Sequence, residues 1–103
     1  MTLEEFYNIL TKAGIPIAYL AFREDNAPDM PFAVYQVTHQ NNFAADGKVY
    51  AQIKHIRVDL YCKETDLESE IKIESALSEI YWKKEKEYIV KEHYNRVTYE
   101  MEV

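Results

Sequence analysis

The chain predicts an α+β fold, a single domain over residues 1–103 in the order α-β-β-β-α-β-β. Two segments carry apolar residues at helical spacing, and each opens with a Thr-x-x-Glu pattern. Extended segments fill the rest, the longest two alternating between apolar and polar positions. Asp46-Gly47 joins those two, and this dipeptide suits a two-residue hairpin turn because both central residues need positive φ. Helices gathered on one face of a mainly antiparallel or mixed sheet complete the expectation, with a long β-hairpin arm.

Thr2 opens the first helix. Thr2 and Glu5 form a capping box in which each side chain serves a backbone N–H that the helix leaves orphaned. Leu3, Phe6, Tyr7, Leu10 and Ala13 form one apolar stripe. Gly14 stands just past the end, where a left-handed residue is needed, and Pro16 blocks continuation.

Ile15–Phe22 reads as the first strand and Arg23–Met30 as a polar loop. Pro31–His39 and Lys48–Cys62 follow as the second and third strands. Counting back from the turn pairs Ala45 with Lys48 and Phe43 with Tyr50. The same register sets Val37 on Ile56, Tyr35 on Val58 and Ala33 on Leu60, so both strands present one apolar face together. On the other face Gln36 meets Arg57 and Thr38 meets His55. The tip, residues 40 to 51, is polar or small apart from Phe43, Val49 and Tyr50, which predicts an arm reaching beyond the core.

Thr65 or Asp66 caps the second helix, with Thr65 and Glu68 as its capping box; it is expected to run to Trp82. Ile73, Ala76, Leu77 and Ile80 carry its apolar face, and Lys83–Lys86 reads as a charged bend. Tyr88–Glu92 and Arg96–Val103 are the fourth and fifth strands, joined by a turn at His93–Asn95. In the last strand Val97, Tyr99, Met101 and Val103 face one way.

The chain has 103 residues, 48% hydrophobic and 29% charged, which is ordinary globular composition. Its net charge of −6 and lack of a basic run argue against direct nucleic-acid binding, which draws its affinity from Lys and Arg on phosphates. No basic start followed by an apolar run marks a signal peptide, and no stretch has the length of a membrane span. A lone Cys62 cannot close an internal disulfide and fits a reducing cytoplasm.

Catalytic and cofactor patterns are not expected. His39, His55 and His93 make no His-x-x-x-His motif, and the register places His39 and His55 on opposite faces of the hairpin, where they cannot share a metal. Cys62 has no base on its own face, so it reads as a buried structural thiol. Asp59 and Arg57, two apart on one strand, read as a surface charge pair. Gly14 and Gly47 are too far apart for a phosphate loop, and all three serines lie on the second helix. The chain is therefore expected to act without bond chemistry, cofactor or metal.

Asn42-Phe43-Ala44-Ala45-Asp46 and Lys48-Val49-Tyr50, with the opening Met1–Tyr7 and the closing Val97–Val103, resemble a family of small structural proteins. These are the tail terminator, or tail completion, proteins of tailed phages and prophages of Gram-positive bacteria. The resemblance implies a virion protein made in the bacterial cytoplasm. It would assemble into a homo-oligomeric, hexameric ring that caps the tail tube and offers a surface for head joining, and it would be monomeric when free. Its partners would be the tail-tube protein and head–tail connector proteins, with no membrane. Asn42, Phe43, Asp46, Gly47, Lys48 and Tyr50 are the expected subunit-interface arm. The alternatives are a head–tail connector or head-completion subunit and, from another class, a small host-directed binding protein.

Overall fold

The computed structural model describes residues 1–23, 28–45 and 48–103; for 42–45 and 48–52 only the backbone pairing is described. Helix α1 (Leu3–Thr11) begins as its spacing requires. Thr2 Oγ1 accepts from the Glu5 N–H at 3.1 Å, and the Thr2 N–H donates to Glu5 Oε1 at 3.2 Å. Phe6, Leu10 and Ala13 are buried, Leu3 packs at their edge, and Tyr7 stays exposed. Gly14 takes φ +73°, the left-handed value that ends the helix.

Strand β1 is only Ile17–Tyr19, shorter than the expected Ile15–Phe22. Leu20 has φ 68° and turns the chain away, so no regular strand continues past it. Strands β2 (Phe32–Ala45) and β3 (Lys48–Cys62) follow, then α2 (Leu67–Ala76), β4 (Trp82–Ile89) and β5 (Tyr94–Glu102). The five strands form one sheet in the order β1-β2-β3-β5-β4, with β1 parallel to β2 and every other pair antiparallel.

The register aligns Ala33, Leu60 and Val97 across one face, then Tyr35, Val58 and Tyr99, then Val37, Ile56 and Met101. These rows meet Phe6 and Leu10 of α1, Ile73 of α2 and Leu77 at its C-terminal end in a single core. Both helices thus cover one face and leave the other open. Burying these large side chains supplies about 1.5–3 kcal/mol each before the entropy of ordering is counted.

The second half of the chain departs from the sequence expectation. Of the two caps the sequence offers for α2, Asp66 is the one used, in place of the Thr65–Glu68 box: its carboxylate takes the Ser69 N–H at 3.0 Å and the Ser69 hydroxyl at 2.7 Å. The helix ends at Ala76 rather than Trp82. Leu77 and Ile80 still pack on the core from the turn that follows, and this keeps the helical rhythm of apolar residues going after the helix has stopped. Trp82 pairs with Met101, and Lys83–Lys86, expected as a bend, forms the middle of β4. The turn falls at residues 90–93, earlier than expected, with His93 at φ 55°.

Edge strand β4 carries no apolar residue between Trp82 and Tyr88, yet its alternation is functional. Lys84 and Lys86 lie on the helix face and meet Glu70, whose side chain is only 3% exposed, at 2.7 and 3.0 Å. Lys84 also reaches Glu74 at 2.8 Å, and Glu74 accepts a hydrogen bond from the Tyr99 hydroxyl at 2.9 Å. Lysines on an exposed edge also discourage pairing with stray strands.

Burial opposes the charge on Glu70, but the two lysines outweigh it and hold its pKa below the ordinary 4.5. A depressed carboxylate adds stability above its unfolded pKa and loses it as pH falls through the folded value. Burial likewise opposes the Lys84 charge, and Glu70 and Glu74 raise its pKa above 10.5, so its contribution is full below that value and lost above it. Urea-unfolding stability should therefore hold down to about pH 4.5 and fall below it. Glu70→Gln should lower stability at neutral pH and flatten the acid limb; an acid limb unchanged in that variant would contradict the assignment.

Cys62 is buried, and burial pushes its thiol up to about 11, with Asp66 and Glu70 adding to the effect. It is a core thiol, as its place on the inward face of β3 suggests.

Candidate assembly interface

β1 pairs with β2 only from Ala33 to Tyr35, and β5 pairs with β3 only as far as His55, closed by mutual Lys54–Val103 backbone bonds of 3.0 and 2.9 Å. Beyond these points β2 and β3 pair only with each other. The hairpin therefore leaves the sheet, and among the described residues neither of its outer edges has a strand partner. Some six residues of each strand at about 3.4 Å apiece make the arm roughly 20 Å long. The molecule measures 52 × 28 × 24 Å with a radius of gyration of 15.0 Å. A compact chain of this length has about 13 Å.

The expected register holds at both ends and fails between them. Ala45 pairs with Lys48, and Val37, Tyr35, Ala33 and Gln36 have the partners the turn implies. A bulge between Val37 and His39 adds Thr38 to β2, and a second irregularity leaves Tyr50 as the extra residue on β3. The two cancel, so the pairings at the turn and at the base agree although the arm between them is shifted by one. Phe43 consequently pairs with Ala51 rather than Tyr50, and His39, not Thr38, lies across from His55. Bulges add twist and bend at such positions.

The shift brings His39 onto the face of His55, against the expectation that they oppose one another. Their rings stack at 3.7 Å and 19°. His55 Nδ1 lies 3.4 Å from Glu102 Oε1, and His55 Nε2 lies 3.2 Å from Asn41 Nδ2. Thr38 Oγ1 donates to the His55 carbonyl at 3.2 Å and sits 3.3 Å from His39 Nδ1. Thr38, His39, His55 and Glu102 border a cleft of about 570 Å3 at the root of the arm, shared with Lys83, Glu100 and Tyr81, which is 84% exposed.

Of the arm residues singled out from sequence, Asn42, Phe43, Lys48 and Tyr50 lie on the backbone of β2 and β3; Asp46 and Gly47 fall outside the described residues. Sequence reasoning missed the His39–His55 pair, and its only available signal was two histidines near the root of one hairpin. Tyrosines divide between roles. Tyr35 and Tyr99 are buried, Tyr61 and Tyr94 are half-buried on the open face, and Tyr7, Tyr19, Tyr81 and Tyr88 are exposed. Tyr7 and Tyr19 flank Tyr35 at 6.4 and 5.2 Å, and with exposed Leu20 they give the β1 edge an aromatic patch.

On the open face Phe22, Phe32, Tyr61 and Tyr94 form a row with successive ring centroids 5.3–5.4 Å apart. Asp59 is not the surface partner that its sequence position suggests. It is 5% exposed, and its carboxylate takes the Thr98 hydroxyl at 2.6 Å and Arg57 Nε at 3.1 Å to each oxygen. Thr98 stands opposite it on β5, which closes the cluster between strands.

Among the described residues no group of three or more His, Cys, Asp or Glu side chains is arranged to hold a metal ion. No described helix is long and apolar enough to cross a membrane. No protein-family model matches the chain, and no curated protein is detectably similar to it.

Proposed function

We propose that this protein is a virion structural subunit, a tail terminator that closes into a ring on the end of a phage tail tube and presents a surface for head joining. The observation that carries the reading is the arm, a hairpin that leaves its own sheet with both outer edges open. An isolated hairpin is marginal in water, so an arm of this kind gains order from a neighbour. The exposed aromatic patch at the β1 edge supplies a second, unlike surface. A head-to-tail ring needs two such different surfaces on each subunit. The resemblance of the arm segment and of both chain ends to tail terminator proteins supplies the setting. In that setting the protein works by surface complementarity without bond chemistry. Its net charge of −6 would let DNA pass through a ring by like-charge repulsion.

Light scattering over a wide concentration range, with and without the tail-tube protein, tests this directly. The expected result is a step from monomer to a closed ring, driven by concentration or by the tube. A strict monomer that ignores the tube would overturn the terminator reading. Capture by portal-side proteins instead would favour a head–tail connector.

A further inference from the structure

We propose that His39 and His55 form a two-imidazole binding site for a borderline first-row divalent cation, with Glu102 and Thr38 as its positioning residues. The two side chains are direct cross-strand partners on one face, and their rings lie 3.7 Å apart. Two nitrogen ligands of one ion, each at about 2.0–2.1 Å from it, stand about 3.3 Å from one another in tetrahedral geometry. In the stack the ring centroids are 3.7 Å apart and the lone pairs, each in its own ring plane, run side by side, so a ring must turn before both donors face one ion. His39 is exposed, so its ring has room to turn out of the stack toward a shared ion.

The hydrogen bonds select the donor atom on each ring. The Asn41 amide nitrogen can only donate, so His55 Nε2 receives it with a lone pair and Nδ1 carries the proton toward the Glu102 carboxylate. Thr38 spends its one hydroxyl proton on the His55 carbonyl, so its oxygen accepts from His39 Nδ1–H and leaves His39 Nε2 with a free lone pair. A ring N–H held by a carboxylate or another acceptor, which leaves the lone pair on the opposite nitrogen, is the arrangement that orients metal-binding histidines; on His55 an ion would take that lone pair in place of the exposed Asn41 amide. The adjoining cleft leaves room for water to complete the coordination shell. Imidazole nitrogen suits Cu2+, Ni2+ and Zn2+, and Cu2+ binds such donors most tightly.

The site does not depend on the assembly reading. Its test is Cu2+ titration of the full chain at neutral pH, followed by electron paramagnetic resonance and calorimetry. One ion per chain is expected, with a spectrum showing coupling to two nitrogens. His39→Phe and His55→Phe keep a flat ring in the stack and remove only the donors; each should weaken binding at least tenfold. His93→Ala should leave it unchanged, and Glu102→Gln should weaken it about 10–100-fold. Circular dichroism of each variant checks that the fold is retained. Absence of saturable binding by the wild type, or binding that survives His55→Phe, overturns the proposal.

Discussion

Tyr99→Ala is expected to be among the most damaging single substitutions, costing about 3–5 kcal/mol. Tyr99 is fully buried on β5 between Val58 of β3 and Lys84 of β4. The Trp82 ring meets it edge-on at 5.3 Å, Lys84 Nζ lies 5.8 Å from its ring centre, and its hydroxyl donates to Glu74 of α2. One side chain thus ties three strands to a helix, and removing it opens a cavity bordered by elements that cannot all move inward. Against a total stability of about 5–15 kcal/mol the loss is a large fraction. Urea unfolding should show the midpoint fall steeply. Tyr99→Phe keeps the ring and loses only the hydrogen bond, so it should cost about 1 kcal/mol. If the two variants prove equally stable, the ring does not hold the layers together.

The second large effect concerns assembly. Phe43→Ser combined with Tyr50→Ser is expected to leave the midpoint of unfolding nearly unchanged and to abolish ring closure and tail completion. Neither residue belongs to the segments of β2 and β3 that pair with β1 or β5, so the sheet and its core do not depend on them. Large apolar residues at the centre of a contact carry much of its energy, and Ser removes that area while keeping the chain soluble. Sedimentation with tube protein and electron microscopy of tails would read the outcome. Normal tails from the double variant would remove the arm from the interface.

Much of the framework was legible because its signals are local. The Thr2–Glu5 box, the left-handed Gly14 and the alternation of Val97, Tyr99 and Met101 each act within a few residues, and the structure keeps all of them. The base register was legible because a slip of one residue would turn an entire apolar face outward. The end of α2 was not, since Leu77 and Ile80 pack from a turn as they would from a helix. Nor was the inner half of β4, where charged residues hide the strand because their partners, Glu70 and Glu74, sit on a distant helix.

The interface candidates divide along the same line. Sequence by itself determined that a hairpin arm exists, because its tip is too poor in apolar residues to join the core. Only the tertiary structure decided where the arm leaves the sheet, because that depends on where β1 and β5 stop pairing. It also decided which residues face one another along the arm. Two bulges on opposite strands cancel in the count, so pairings checked at the turn and at the base agree while those between them are displaced. A bulge here needs no glycine and leaves no local mark. Thr38 is extra only in relation to β3, and the stacking of His39 on His55 follows from that relation alone.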